Sequence, residues 1–324
     1  MDYLSVIRKP ISTEFHDFQN QFLGALTHSA GLLASALDHI RQRTGKQMRP
    51  MLTLLTAKNY GNISQVTQYS AVALELLHTA SLVHDDVVDE SDERRGIASL
   101  NLSYNNKVAV LVGDYILSTC LLNVSFTQNP RILFYLSELG RTLASGEILQ
   151  LQNINNNEVT EDAYFQVINQ KTASLFKTCC SMGALSVGAS DEEVQKAELF
   201  GQNLGIIFQI RDDIFDYFDS TDIGKPTGND MREGKLTLPV IYALNTSDFE
   251  PMKVLARKVK AGKINSDEIA VLVEFTKRQG GIEYAEQKMI EIAHQAKAFI
   301  DENVRDELKD AFNAYLEYII QRKL

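Results

Sequence analysis

Along most of this chain apolar residues recur at intervals of three and four, and no series of strands and turns competes with that pattern. Prolines at positions 10, 50, 130, 226, 239 and 251 leave long segments uninterrupted. The periodicity predicts helices over about 14–42, 47–60, 64–90, 104–126, 130–152, 160–187, 191–218, 236–246, 250–261, 265–279, 281–302 and 305–322. Loops are marked by "NPR" at 129–131, "NINNNE" at 153–158 and the Gly/Asp/Asn-rich "DSTDIGKPTGNDMREGK" at 219–235. Nothing reads as a flexible interdomain linker. The expectation is an all-α chain forming a single large helical bundle over residues 1–324, with ligand sites between facing helices.

Composition narrows the class. With 324 residues, 44% of them apolar and 23% charged, the chain is an ordinary globular protein. A formal net charge of −10 argues against a broad nucleic-acid interface. Polar residues interrupt the apolar segments, as Glu75 and His78 interrupt "AVALELLHTASLV", so no membrane span of about 20 residues is expected. The start, "MDYLSVIRKPISTEF", lacks a signal peptide's apolar core. Cys120, Cys179 and Cys180 have neither metal-site spacing nor a disulfide framework and read as core filler in a reducing, cytoplasmic setting.

Two acidic motifs change the picture. In "LLHTASLVHDDVVDESDERRG", residues 76–96, Asp85 and Asp89 stand four apart and share a helix face, with Asp86 about 100° round. The apolar residues upstream turn that face inward, where clustered carboxylates are costly unless hydrogen-bonded, protonated or neutralised by cations. "FQIRDDIFDYF" at 208–218 repeats the spacing with Asp212, Asp213 and Asp216. One such motif is as often a solvated helix face. Two copies, each after apolar helix and each before a loop rich in Lys or Arg, point to a shared ligand. Oxygen ligands at this density suit Mg²⁺ completed by phosphate oxygens. Cations for phosphate stand nearby in sequence: Lys46 and Arg49 in "TGKQMRP", Arg94 and Arg95 after the first motif, Lys171 in "QKTASLF", and Lys225 and Lys235 in the 219–235 loop. Acids and bases together make sense if dications bridge the acids to one diphosphate while Lys and Arg hold a second directly.

In order and spacing, "GKQMRP", "LLHTASLVHDDVVDESDERRG", "GDYIL", "GEILQL", "KTASL" and "FQIRDDIFDYFD…GKPTGND…GK" resemble the trans-isoprenyl diphosphate synthases, the polyprenyl synthetase family, over roughly Gly45 to Pro239. The likeness is greatest to its long-chain bacterial, octaprenyl type. It implies an isoprenoid-synthase bundle with a central active-site cavity, working as a homodimer on isopentenyl diphosphate and an allylic diphosphate such as farnesyl diphosphate. By that resemblance Asp85 and Asp89 hold two Mg²⁺ ions, and Asp212, with Asp216 through water, a third. Arg94, Lys171 and Lys235 surround the allylic diphosphate, and Lys225 swings onto it. Lys46, Arg49, His78 and Arg95 take isopentenyl diphosphate. Lys171, Thr172, Phe208 and Gln209 border the carbocation, and released pyrophosphate takes the proton.

Asp86 and Asp213 lie off the main faces and are expected to contact bridging waters or cap structure. His84 reads as a hydrogen-bonded core residue, the Gly113–Tyr115 motif as helix packing, and Glu147 and Gln150 carry no assigned chemistry. By the same resemblance Ala80 and Ser81 set the product length, and their small size predicts an octaprenyl-like product that leaves toward a membrane. Three readings compete: a shorter-chain farnesyl or geranylgeranyl synthase, a class I terpene cyclase, and a noncatalytic subunit of a heteromeric synthase. The second aspartate motif and the Lys46/Arg49 site disfavour the cyclase, and the intact acids and arginines disfavour the noncatalytic subunit.

Overall fold

The computed structural model describes residues 2–42, 45–94, 96–155, 160–218 and 227–321, the side chains of 154 and 155 excepted. The chain order is α1 (Tyr3–Arg8), a 3-10 turn (Lys9–Ile11), α2 (Ser12–Ala25), α3 (Gly31–Arg41), α4 (Met48–Tyr60) and α5 (Gln65–Val88). A two-residue hairpin pairs Glu93 with Ala98 and Arg94 with Ile97. Then follow α6 (Leu100–Tyr104), α7 (Asn106–Ser125), α8 (Pro130–Asn155), α9 (Glu161–Ile168), a π-helical segment (Asn169–Ala173), α10 (Ser174–Leu185) and α11 (Asp191–Phe215). The last six are α12 (Asn229–Arg232), α13 (Leu238–Asn245), α14 (Glu250–Lys260), α15 (Ser266–Arg278), α16 (Gly281–Asn303) and α17 (Asp306–Gln321).

The fold is the all-α bundle that the periodicity predicts. A helix apolar on all sides belongs in the middle. In α10 every residue from Cys179 to Leu185 is buried, and it packs on α4, α8 and α11. Around this centre α5 lies along α7, α11 along α16, and α1 on α17. Capping boxes fix where the site-bearing helices begin: Ser64 with Thr67 at α5, and Ser190 with Glu193 at α11. Cys120, Cys179 and Cys180 are buried free thiols.

Several predicted spans break. The 14–42 helix is two, because the Thr27 hydroxyl donates back to the Gly24 carbonyl at 2.7 Å and the chain restarts at Gly31 with φ +79°. The 104–126 helix is interrupted at Asn105, φ +124°, whose side chain caps Val108 N at 3.1 Å. The 160–187 helix contains the π segment. Helix α1 is too short for a period of 3.6 to register.

Among the described residues one helix, α7, is long and apolar enough to cross a membrane by length and composition alone. It has 20 residues, and an 18-residue stretch of it has mean hydropathy 1.7, because the polar positions there are mostly small and uncharged. One side packs on α5 through Ala109, Val112, Ile116 and Cys120, while Leu111, Leu121 and Leu122 are exposed on the other. The packing motif at 113–115 has a side-chain partner: a Cβ at Gly113 would lie 2.2 Å from His84 Nε2. His84 is therefore a half-exposed wedge between α5 and α7 and not a core residue, its Nε2 3.3 Å from the Val110 carbonyl and 3.4 Å from Asp114.

Candidate active site

The first acidic motif closes the C-terminal end of α5. Asp85 is half-buried, Asp89 is exposed at the cap, and Asp86 is buried. Burial pushes the Asp85 carboxyl up to about 6; Lys171 pulls it down, Glu147 and Asp89 push it up, and Arg94 pulls it down. A carboxylate held up by desolvation among other acids is a group that gains from a bound cation. Asp86 turns the other way: its Oδ1 accepts from Arg94 Nε at 2.6 Å. The middle aspartate thus anchors the arginine expected at the allylic diphosphate.

The second motif ends α11 and repeats the arrangement. Asp212 and Asp216 are half-buried, and Asp213 is buried, accepting from Tyr164 Oη at 2.6 Å and Gln209 Nε2 at 2.8 Å. Asp216 accepts the backbone N–H groups of Asn229 at 2.9 Å and Asp230 at 3.0 Å, fastening the start of α12. Burial raises the carboxyls of Asp213, Asp216 and Asp230 above the usual range. Lys235 joins the two motifs electrically, because its ammonium feels Asp230 and, on the opposite motif, Asp89, and itself lowers Asp213.

Beside the second motif lies a cleft of about 190 Å³ lined by Lys171, Thr172, Gln209, Asp213, Asp230 and Lys235, among others; no described residue of the first motif lines it. Lys171 and Thr172 stand on the π segment, a backbone form that concentrates at functional sites. Two glycines hold it. A Cβ on Gly146 of α8 would sit 2.9 Å from Gln170 Cβ, and one on Gly205 of α11 would sit 2.4 Å from Ala173 Cα. Glu147 and Gln150 have a role after all: Lys171 Nζ lies 2.5 Å from Glu147 and 3.4 Å from Gln150, so α8 sets where that ammonium points. Lys235 pairs likewise with Glu233 at 2.6 Å. An ammonium has three N–H donors, so these pairs do not use up either cation.

A smaller cavity of about 60 Å³ brings together Gly45, His78, Asp86 and Arg94. The Arg49 guanidinium lies 5.2 Å from the Phe176 ring and 5.9 Å from that of Phe208, with Nε buried and without a hydrogen-bond partner. A half-buried cation with an unpaired buried nitrogen suits an anion. Lys46 is exposed above the Tyr318 ring, at 5.4 Å.

Among the expected site residues, Arg95 and Lys225 lie outside the described residues. Ala80 is buried on α5 and Ser81 half-buried with its hydroxyl on the His78 carbonyl at 2.9 Å; neither lines the larger cleft. Among the described residues no group of three His, Cys, Asp or Glu side chains is arranged to hold a metal by itself. The chemistry of the donor set fits a hard cation nonetheless, since Mg²⁺ takes only one or two carboxylates with water and phosphate oxygens. Tyr164, Asp230, Glu147 and Gly205 were missed as site residues. Of these, Asp230, in the "GKPTGND" stretch, and Glu147, in "GEILQL", carried a sequence signal.

A sequence profile of the family described as polyprenyl synthetase matches residues 30–276. The octaprenyl diphosphate synthase of Escherichia coli (strain K12) is 35% identical over 255 residues, 78% of this chain and 79% of that protein. A crystal structure of geranylgeranyl pyrophosphate synthase from Bacteroides thetaiotaomicron superposes with TM-score 0.88 at 47% identity, covering 99% of this chain and 100% of that one. A polyprenyl synthase from Caulobacter crescentus CB15, crystallised with calcium and isoprenyl diphosphate, superposes with TM-score 0.91 at 27% identity, over 99% and 98% of the two chains.

Proposed function

This chain belongs to the polyprenyl synthetase family and is a trans-prenyltransferase, and from that premise we propose how its site works and what it makes. The whole described chain is read as one catalytic domain. The cleft in which Lys171, Thr172, Gln209 and Lys235 meet Asp213 of the second motif is the observation that carries the proposal.

Family enzymes use a divalent metal, and the Caulobacter relative holds calcium. Here Asp85, Asp89 and Asp212 would hold Mg²⁺, up to three ions, with Asp216 acting through water. Bound there, Mg²⁺ supplies Lewis-acid stabilisation of the leaving diphosphate. Arg94, steadied by Asp86, together with Lys171 and Lys235, supplies fixed positive charge as the allylic C–O bond breaks and the electron pair leaves with pyrophosphate. Arg49, Lys46 and His78, with Arg95, hold isopentenyl diphosphate so that its double bond attacks the allylic carbon. The proton lost in forming the new double bond goes to the departing pyrophosphate.

The proposed product is a long, octaprenyl-like chain grown from farnesyl diphosphate. The small side chains at Ala80 and Ser81 and the Escherichia coli relative favour it. The 47% identity to a geranylgeranyl synthase favours a second reading, a product of four isoprene units. Incubation of the pure protein with farnesyl and isopentenyl diphosphates and Mg²⁺, followed by chromatography of the products, separates the two; nothing longer than four units overturns the first.

Homodimerisation is proposed through α7 and α8. Leu111, Leu121 and Leu122 on α7 and Phe134 and Ile148 on α8 are each more than half exposed, an apolar face that a second copy would cover.

A further inference from the structure

The cleft wall contains a hydrogen-bond relay that starts outside both aspartate motifs. Tyr164 on α9 donates to Asp213 Oδ2 at 2.6 Å, and Gln209 Nε2 donates to Asp213 Oδ1 at 2.8 Å. Thr172 Oγ1 on the π segment donates to Gln209 Oε1 at 2.7 Å. All four residues border the same cleft. With one Asp213 oxygen accepting from Tyr164 and the other from Gln209, the Gln209 amide turns its NH₂ to that carboxylate and its carbonyl toward Thr172. The single hydroxyl proton of Thr172 is committed to that carbonyl, and its lone pairs are left free to face the cavity. The far end of the chain is the phenol of Tyr164, buried at 7% exposure, which occupies the second Asp213 oxygen and so holds the carboxylate where it orients the amide.

We propose that Tyr164 is a positioning residue: through Asp213 it fixes the Gln209 amide and the Thr172 hydroxyl so that acceptor oxygens face the developing allylic cation. The inference rests on the reading of Gln209 and Thr172 as neighbours of that cation. Oxygen dipoles set in advance stabilise positive charge without a reorganisation cost. An amide free to flip presents N–H for part of the time, which opposes ionisation.

The test is steady-state turnover of farnesyl and isopentenyl diphosphates with Mg²⁺ by the full chain. Tyr164→Phe keeps the ring and removes the donor; kcat is expected to fall about tenfold with both KM values within about twofold, and thermal unfolding is followed separately. In a Gln209→Ala background the same change is expected to cost nothing further in kcat, since Tyr164 acts only through that amide. A purely structural tyrosine would lower the melting temperature and leave kcat unmoved below it. Should Tyr164→Phe be insoluble, Asp213→Asn reads the same relay, because one amide oxygen cannot accept from both donors at their present positions. A Tyr164→Phe enzyme within twofold of wild-type kcat, or losses that multiply in the double variant, would overturn the relay while leaving the site reading intact. A Gln209→Ala enzyme as fast as wild type would overturn both.

Discussion

Arg94 Nε lies 2.6 Å from Asp86 Oδ1, and the aspartate side chain is 3% exposed while the arginine keeps 32%. The pair is a buried anchor with its cation reaching outward. Breaking one side of such a pair leaves the other without compensation. Asp86→Ala is expected to raise the KM for the allylic diphosphate about tenfold, with a smaller effect on the KM for isopentenyl diphosphate, and to destabilise the fold by about 1–3 kcal/mol. Denaturant melts and two-substrate kinetics check both; equal effects on the two KM values would argue against the assignment of Arg94.

Gly205 decides the path of the π segment. With Ala173 Cα 2.4 Å from the place of a new Cβ, Gly205→Ala must push α11 and residues 169–173 apart. Lys171 and Thr172 move with that backbone. The expected result is a loss of at least about 1–3 kcal/mol of stability from overpacking, and a fall in kcat measured well below the melting temperature. Normal kcat in a destabilised variant would show that the segment tolerates displacement.

The acids predict an opposing pH dependence for the metal-free and metal-bound protein. The Asp85 carboxyl titrates near 6 when folded, above its unfolded value, so the stability it contributes is fully present below the unfolded value and is lost as pH rises through about 6. Asp213, Asp216 and Asp230 are raised and act in the same direction. Metal binding needs the ionised form. Adding Mg²⁺ and pyrophosphate should therefore raise the melting temperature more at pH 8 than at pH 5. Asp85→Asn should flatten the metal-free dependence around pH 6 and reduce the ligand-induced shift; an unchanged shift would remove Asp85 from the metal site.

Charge on the open face of α7 should block association. Leu111 is 67% exposed and Leu122 56%, so Leu111→Glu with Leu122→Glu costs little in the isolated chain. Sedimentation is expected to show a dimer for the wild-type chain and a monomer for the double variant. Equal sedimentation of the two would move the interface elsewhere.

Bulk at Ala80 tests the length reading. Ala80→Phe is expected to shift products toward fewer isoprene units, read by chromatography. An unchanged distribution would mean that chain growth does not pass this buried position of α5.

By itself the sequence determined the helices and the two acidic faces, because a period of 3.6 and a four-residue spacing are consequences of local backbone geometry. It placed Asp86 and Asp213 off those faces for the same reason. Their partners were decided only in three dimensions. Asp86 meets Arg94 because a two-residue hairpin returns the chain, and Asp213 meets Tyr164 because the π segment that follows α9 packs on α11. The π segment has no local signature; it exists where Gly146 and Gly205 let two helices close on residues 169–173. Glu147, in "GEILQL", carried no assigned chemistry until α8 brought it to Lys171. Periodicity is written between near neighbours, whereas the direction of a buried amide or ammonium depends on which distant element packs beside it.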